Sequence, residues 1–268
     1  IELALRFAKE YTVGAITGTN GKTTTTSLLW EMLKRKDEKA IAAGNIGLPL
    51  CESLIEAGDV KRDVALEIAA FQLLGCPTFH PSVSVIMNLT PDHLDVFGEI
   101  DAYYRAKTLV YQNQRGEDWF LRNIDDPNVV AYTQDVKCKV VAFSLTQASD
   151  LRIENKTVFL FDTPLFELKD LHIVGKHNVQ NAMVAAAMAY KMGVKPTDIQ
   201  SAIRDFKGVE HRIEYVRELN GARYYNDSKG TNCDATIVAL YAFEQPVILL
   251  AGGYVMKTGF QEMIPYLD

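Results

Sequence analysis

The residues best suited to chemistry form a glycine-rich turn near the start of the chain, which we call the glycine turn (residues 18–23, Gly-Thr-Asn-Gly-Lys-Thr). It follows an apolar run over residues 11–16 and precedes a segment whose apolar residues have helical spacing. Backbone N–H groups of such a turn, and the N-terminus of the next helix, place positive potential where phosphates bind. Lys22 would reach the outer phosphates, and the Thr23 hydroxyl would bind Mg2+. The predicted nucleotide ligands are Gly18, Thr19, Asn20, Gly21, Lys22, Thr23 and Thr24.

The glycine turn differs from the general phosphate-binding loop. That pattern has a glycine five residues before the glycine of Gly-Lys, and Ile16 stands at this position. The compact form found here is rarer and therefore more specific. A chance glycine turn is the alternative, but a strand and a helix flank the turn as phosphate binding requires.

The surrounding pattern predicts an α/β fold of the P-loop type, with a mostly parallel sheet flanked by helices. Short apolar runs alternate with helical patterns, which is typical of a parallel sheet covered on both faces. The predicted strands are 11–17, 39–44, 63–68 and 83–89, and the predicted helices are 22–36, 48–57 and 101–114. Over residues 118–162, short strands alternate with turn residues and predict a small mixed subsheet.

The rest of the chain predicts further helices and a second unit. A strand near 171–175 precedes a buried, Ala-rich helix over 177–192 and a helix over 196–205. The second unit begins near Gly208, and its predicted elements are a strand at 223–226, a helix at 233–243 and a strand at 247–251. We interpret it as the start of a second Rossmann-like α/β domain. The predicted domains are therefore 1–208 and 209–268.

The composition excludes several classes of protein. The chain has 268 residues, 48% of them hydrophobic and 23% charged, and its net charge of −6 argues against a general nucleic-acid binder. Its four scattered cysteines fit reduced thiols in a cytosolic protein better than a disulfide frame or a zinc site. No apolar run is long enough to span a membrane, and no signal peptide is visible. Because the chain begins at Ile1 rather than Met, we expect a piece of a longer polypeptide.

A carboxylate, Glu67, stands at the end of the predicted strand 63–68. The carboxyl edge of a parallel sheet borders the crevice where ligands bind, and Glu67 could there ligate the Mg2+ that Thr23 touches. A surface acid at a strand end is the alternative.

The loop after the strand 83–89 carries Asp92, His93 and Asp95. Beside a nucleotide site, His93 becomes a candidate metal or phosphate contact, although a capped turn is the alternative. Lys107 lies on the helix that follows. Spacing alone predicts that this lysine is solvated.

Three later segments carry polar residues. Asn178 and Asn181 lie three residues apart at the start of the Ala-rich helix, where they share a face and could read a base edge or merely cap the helix. Arg212, at the proposed domain junction, is suited to holding a phosphate, and a structural ion pair is the common alternative. The polar turn 226–232 is predicted to be a binding loop.

In this order, the segments resemble the Mur ligases, the ATP-dependent amino-acid ligases of bacterial cell-wall synthesis, from about residue 12 to the end. The stretches 67–73, 211–214 and 226–229 are similar to those of the members that add D-glutamate to UDP-N-acetylmuramoyl-L-alanine. The resemblance implies that ATP phosphorylates the substrate carboxylate and that the D-glutamate amine attacks the acyl phosphate, in the bacterial cytoplasm. Domain 1–208 would bind ATP, and 209–268 would be part of the domain that binds the amino acid. We expect a monomer with no nucleic-acid or membrane partner.

The resemblance also implies roles for single residues. Lys22, Thr23 and Glu67 would serve the transferred phosphoryl group and a first Mg2+, while Lys107, carbamylated by CO2, would hold a second Mg2+ with His93. The remaining implied contacts are Asn178 and Asn181 with the adenine, Arg212 with the phosphates, Asp227 with the ribose, Asn45, Gln72 and His93 with the muramoyl-alanine end, and Lys229 and Thr231 with phosphate and D-glutamate.

The chain departs from the family pattern at two places. Ala69-Ala70 stands where the family has Ser-Ser, and Val255-Met256 stands where an Asp and a Lys that help to hold D-glutamate are usual. Lys257 is one position further along. The alternatives are another Mur-type or folylpolyglutamate-type ligase, or a nucleotide-binding homologue or fragment without ligase activity.

Overall fold

The computed structural model describes residues 1–7, 10–58, 61–243, 245–253 and 260–267. The strands are β1 (Tyr11–Thr17), β2 (Ile41–Gly44), β3 (Arg62–Glu67), β4 (Val83–Ile86), β5 (Trp119–Asn123), β6 (Lys139–Phe143), β7 (Leu151–Glu154), β8 (Thr157–Leu160), β9 (Thr163–Glu167), β10 (Glu214–Leu219) and β11 (Ala222–Asn226). The helices are α1 (Glu2–Phe7), α2 (Lys22–Lys36), α3 (Leu50–Ala57), α4 (Ala70–Leu73), α5 (Leu94–Phe97), α6 (Ile100–Thr108), α7 (Pro127–Tyr132), α8 (Lys176–Lys191), α9 (Pro196–Asp205) and α10 (Cys233–Leu240). Short 3-10 helices cover Leu109–Tyr111, Leu168–Asp170 and Phe260–Tyr266.

The main sheet has nine strands in the order β2-β3-β1-β4-β5-β6-β7-β8-β9. Neighbouring strands from β2 to β7 run parallel, and β8 is antiparallel to both of its neighbours. The chain passes from β1 to β2 and β3 on one side and then to β4 on the other. The crevice at such a change of direction, outside the carboxyl ends of the strands, is where open α/β sheets bind ligands.

Two apolar cores lie on the two faces of this sheet. The first packs α2, α8 and α9 against it, and the second packs α4 and α6. Residues 182–189 of α8 are all fully buried, and five of the eight are alanine. Small side chains allow close approach to α2, and alanine also has the highest intrinsic helix propensity. Helix α8 therefore brings its N-terminal residues close to the start of α2.

The α/β class and the mixed part of the sheet are confirmed. Strands β5 and β6 extend the parallel sheet, however, and the antiparallel pairing is confined to β7–β9. The mixed part is thus continuous with the parallel sheet rather than separate from it. Strand β9 and helix α7 were absent from the sequence reading, because both are short and their apolar residues show no long period.

Two predicted strands are wrong. Residues 171–175 and 247–251 form no strand, although both stretches are rich in apolar residues. The first connects the Leu168–Asp170 helix to α8, and the second lies in a region where Ile248 and Leu250 are exposed. The antiparallel hairpin β10–β11 forms its own sheet and precedes α10. The domain division near Gly208 stays a prediction.

Among the described residues, no helix is both long and apolar enough to cross a bilayer.

Candidate functional site

Three neighbouring strands bring the predicted site residues to one edge of the sheet. The pairs Ile16↔Glu67 and Thr17↔Ile86 align the carboxyl ends of β1, β3 and β4. The glycine turn follows β1, Glu67 ends β3, and the 87–93 loop follows β4. Parallel register alone therefore places the turn, the carboxylate and the loop side by side.

The glycine turn requires glycine at two positions. Gly18 and Gly21 have φ of +138° and +86°, which side chains other than glycine rarely adopt. A Cβ at Gly21 would also lie 2.5 Å from Asn181 Oδ1. Helix α2 starts directly after Gly21 without a side-chain cap. Its first N–H groups thus remain available at the positive end of the helix dipole, as phosphate binding requires.

Two lysines meet at the carbonyl oxygen of Gly18. Lys22 Nζ donates to it at 3.0 Å and to the Thr19 carbonyl at 2.8 Å, and Lys107 Nζ donates to it at 2.8 Å. Burial lowers the pKa of Lys22, while the negative charges of Glu67 and Asp92 oppose that shift. The Lys22 ammonium is therefore folded back onto two carbonyls of the turn that would present it to phosphate.

Lys107 is buried, so the solvated position predicted from spacing is wrong. Its side chain is 2% exposed, and Nζ lies 4.5 Å from the centre of the Tyr103 ring. Helix α6 packs against the sheet with Tyr103 and Lys107 on the same inward face, since residues four apart share a face. Burial, together with the positive charge of Lys22, holds the pKa of Lys107 well below its usual value.

Glu67 has one carboxylate oxygen in use and one without a partner. Oε1 accepts a hydrogen bond of 2.9 Å from Asn45 Nδ2, whereas Oε2 is buried and has no hydrogen-bond partner among the described residues. A buried, unpaired carboxylate oxygen is costly unless a cation or donor occupies the space beside it. This oxygen fits an Mg2+ ligand, and Mg2+ sites commonly use one or two carboxylates together with substrate phosphates.

His93 lies at the entrance to this edge. Its backbone is left-handed, with φ of +52°, and its ring is edge-on to Phe71 and Tyr103 at 6.2 and 5.9 Å between centroids. Nε2 is 3.7 Å from Asp92 Oδ2. Asp95 is exposed in the first turn of α5, facing away from any described partner. The loop thus contributes His93 and Asp92 to the site, and Asp95 remains unassigned.

Two asparagine side chains at the start of α8 pack beside the glycine turn. Asn181 Nδ2 donates to Asn178 Oδ1 at 3.1 Å, and Asn178 Nδ2 donates to the Val174 carbonyl at 2.7 Å. Asn181 Oδ1 accepts from the Thr25 hydroxyl at 3.3 Å. Both asparagines are buried. Their contact with an adenine stays a prediction, and each already has internal partners.

Arg212 lies near the glycine turn, although it comes from the junction with the second unit. Its charge lowers the pKa values of Lys22 and His177 and opposes the rise that burial causes in the pKa of Asp227. Asp227 Oδ1 accepts from the Ile213 N–H at 3.0 Å. No hydrogen bond or ion pair of the Arg212 guanidinium is found within the described ranges, which leaves it free for an anion.

The remaining predicted substrate contacts are less closely grouped. Gln72 uses Oε1 to accept from the Ala69 N–H at 2.9 Å, at the start of α4. Lys229 and Thr231 have exposed side chains, and the Lys229 N–H donates to the His211 carbonyl at 3.0 Å. The contacts of these residues with a substrate stay predictions. Val255, Met256 and Lys257 lie outside the described residues.

Sequence reasoning missed Asn88 and Tyr103 as parts of the site. Asn88 lies two residues after the end of β4, and its side chain makes three hydrogen bonds to the glycine turn. Tyr103 covers Lys107 and is buried, and burial raises its pKa to about 12. The position of Asn88 at the end of a strand, next to His93, is a signal that could have identified it.

A family model and the sequences of curated relatives both match this chain, and they point to the same family. A family model described as the Mur ligase middle domain matches residues 16–189. The UDP-N-acetylmuramoylalanine--D-glutamate ligase of Caldanaerobacter subterraneus subsp. tengcongensis is 43% identical over 100% of this chain and 60% of its own length. The protein with the same description from Geobacillus kaustophilus is 39% identical, again over 100% of this chain and 60% of its length. The chain thus spans about 60% of the length of these curated relatives.

Solved structures share the fold at lower identity. A crystal structure of MurF from Acinetobacter baumannii has a TM-score of 0.72 at 22% identity, over 88% of this chain and 55% of that one. A crystal structure of UDP-N-acetylmuramate-alanine ligase MurC from Thermotoga maritima has a TM-score of 0.66 at 22% identity, over 90% and 55% of the two chains. At this identity the likeness concerns the fold alone.

His177 makes the stability of the protein depend on pH. Burial, reinforced by Arg212, lowers its pKa from 6.5 to about 4. Between these values the unfolded state binds more protons than the folded state, so the stabilisation is complete above pH 6.5 and is lost as the pH falls toward 4. We expect the free energy of unfolding to fall by about 2 kcal/mol more in the wild type than in His177→Gln between neutral pH and about pH 5. Urea unfolding of both proteins at the two pH values measures this, and equal losses would contradict it.

Proposed function

This chain belongs to the Mur ligase family, and we propose that it carries the ATP-binding centre of a ligase that adds D-glutamate to UDP-N-acetylmuramoyl-L-alanine. The reaction proceeds through an acyl phosphate in peptidoglycan synthesis. The observation that carries the proposal is the glycine turn beside Glu67 at the carboxyl edge of the sheet. Uncapped N–H groups, the partly buried Lys22 and a carboxylate oxygen of Glu67 with no partner among the described residues meet there. The choice of D-glutamate rests on the relatives that are 39–43% identical.

The protein's task in the first step is to position ATP and to offset charge. Phosphoryl transfer depends mainly on alignment and on neutralising the equatorial oxygens. The first N–H groups of α2 hold phosphate oxygens, and Lys22 turns from the Gly18 and Thr19 carbonyls to the outer phosphates. Thr23 and Glu67 would hold Mg2+, which would supply positive charge to offset the charge that develops on the transferred group. Arg212 adds a further cation for the phosphates.

In the second step the amine of D-glutamate attacks the acyl carbon and phosphate leaves. The new C–N bond forms first and gives a tetrahedral intermediate; the bond from the acyl carbon to the phosphate oxygen then breaks, and the amine loses a proton. The cations that held the γ-phosphate then stabilise the tetrahedral intermediate and the departing phosphate. We assign Lys229 and Thr231 to the amino acid and phosphate, and Asn45, Gln72 and His93 to the muramoyl-alanine end. Asn178 and Asn181 are assigned to the adenine and Asp227 to the ribose.

Lys107 is proposed to be carbamylated. Burial lowers the pKa of Lys107 and so favours its neutral amine form, in which Nζ would form a bond to the carbon of CO2 and release a proton. The product is a carboxylate beside the Lys22 ammonium, and these opposite charges attract each other. With His93, this carboxylate would hold a second Mg2+.

The experiment that tests the proposed function measures phosphate release and amide formation by the complete gene product that contains this chain. Mg-ATP and UDP-N-acetylmuramoyl-L-alanine are supplied with D-glutamate, without it, or with a panel of other amino acids. Release that depends on D-glutamate supports the proposal. Release with a different amino acid overturns the assigned substrate, and nucleotide binding without any amino-acid-dependent release overturns ligase activity.

Lys22→Ala should lower turnover at least about 100-fold, because a positive group that stabilises the transferred phosphoryl group is removed. Lys39→Ala is the matched control. It removes one exposed lysine beyond the far end of α2, about 22 Å from the turn, where screening leaves little effect. Steady-state kinetics of the three proteins decide the matter. Equal loss in both variants, or full activity in Lys22→Ala, would contradict the role of Lys22.

Lys107→Ala should lose activity and regain part of it with acetate or formate, because a short carboxylate can occupy the space left by the carbamate. Lys107→Arg is the control, since it keeps a positive charge, fills the space and forms no carbamate. It should stay inactive with or without acetate. Isotopically labelled bicarbonate should give a carbamate signal by NMR in the wild type only. An active wild-type enzyme without that signal would contradict the proposal.

A further inference from the structure

We propose that Asn88 is a positioning residue that fixes the shape of the glycine turn and joins it to the loop that carries His93. The inference rests on the proposed function in so far as the turn binds a nucleotide. Asn88 lies at the carboxyl end of β4, one strand away from the turn, and its side chain is partly buried.

Both polar atoms of the Asn88 side-chain amide form hydrogen bonds with the backbone of the turn. Oδ1 accepts from the N–H groups of Thr19 and Asn20 at 3.1 and 2.8 Å, and Nδ2 donates to the Asn20 carbonyl at 3.1 Å. The backbone carbonyl of Asn88 also accepts from the Thr19 N–H at 3.1 Å. Only an amide side chain of this length supplies an acceptor and a donor in this arrangement.

These bonds decide which groups of the turn face a ligand. The N–H groups of Thr19 and Asn20 are occupied by Asn88, so they point toward β4 rather than toward phosphate. The N–H groups that follow, at the start of α2, are left for the anion, because the first hydrogen bond of the helix runs from the Thr25 N–H to the Gly21 carbonyl. At the same time the Gly18 and Thr19 carbonyls turn toward Lys22. Asn88 thus determines which N–H groups of the turn remain available to an anion and which carbonyl groups face Lys22.

A second contact joins the same two segments. The Thr19 hydroxyl donates to the Thr90 carbonyl at 3.0 Å and accepts from the Thr90 N–H at 3.1 Å. The Leu89 N–H donates to Asp126 Oδ2 at 2.8 Å, and Asn123 Nδ2 donates to the Met87 carbonyl at 2.8 Å. The 87–90 segment is therefore fixed by hydrogen bonds to Asn123 of β5 and to Asp126, the N-cap residue of α7. A turn fixed to this segment is held in register with Asp92 and His93, which follow in the same loop.

The test compares Asn88→Ala with Asn123→Ala. Both remove one side-chain amide at the 87–90 segment, Asn88 from within it and Asn123 from its hydrogen bond to Met87, but only Asn88 touches the glycine turn. Hydrogen exchange of the chain without nucleotide should become at least about tenfold faster at the Asn20 N–H group in Asn88→Ala and stay unchanged in Asn123→Ala, because only the first variant removes its acceptor, whereas the Thr19 N–H keeps the backbone carbonyl of residue 88. The dissociation constant for Mg-ADP, from calorimetry, should rise at least about tenfold in Asn88→Ala alone.

Asn88→Asp separates positioning from simple support of the fold. A carboxylate can accept from both N–H groups but cannot donate to the Asn20 carbonyl. It should therefore restore slow exchange at the Asn20 N–H group, which a general loss of stability would not do. This variant also provides the readout if Asn88→Ala fails to fold.

Two results would overturn the inference. One is exchange at the Asn20 N–H group that is unchanged in Asn88→Ala, and the other is an equal effect of Asn123→Ala. Because the exchange experiment uses no nucleotide, it stands apart from the proposed function. A wild-type chain that fails to bind Mg-ADP counts against the proposed function, whereas fast exchange in Asn88→Ala would still establish the hold on the turn.

Discussion

The structure depends on a concentration of positive charge at one backbone carbonyl. Lys22 and Lys107 both donate to the oxygen of Gly18, at a sheet edge where burial already disfavours charge. Such an arrangement is stable only if nearby groups offset it, and Glu67 and Asp92 act in that direction on both lysines. The edge is therefore built to receive anions. The parallel sheet, the left-handed glycines and the inward face of α6 are all needed to bring these groups together.

The central part of this site could be predicted from sequence because its signals are local. A strand, a glycine turn and a helix follow each other in the chain, and Glu67 ends a strand that pairs with β1. Lys107 could not be placed in this way, since its burial comes from the packing of α6 against the far side of the turn. Spacing predicts that Lys107 is solvated, and only the resemblance to the Mur ligases assigns this lysine to the site. The hold of Asn88 on the turn was missed for the same reason, because its partners are 68 and 69 residues away.

The errors in the fold have a similar cause. Apolar runs at 171–175 and 247–251 look like strands, yet a strand exists only where a neighbouring strand accepts its hydrogen bonds. In the opposite sense, β9 was missed although it pairs with β8 over its whole length. Short elements are decided by their partners rather than by their own residues. Long, periodic elements such as α2 and α8 were predicted within a few residues of their observed ends.

The glycine turn has neighbours from widely separated parts of the chain, namely β3, the loop after β4, α6 and the start of α8. These neighbours meet only when the central strands and the helices on both faces of the sheet are in place. The site is consequently a product of the whole folded sheet and has no local precursor. A nucleotide that binds it selects the native state over the unfolded ensemble, by RT ln(1 + [L]/Kd) for ligand concentration [L]. The fraction of chains with nucleotide bound at the turn therefore reports how much of the sheet is cooperatively folded.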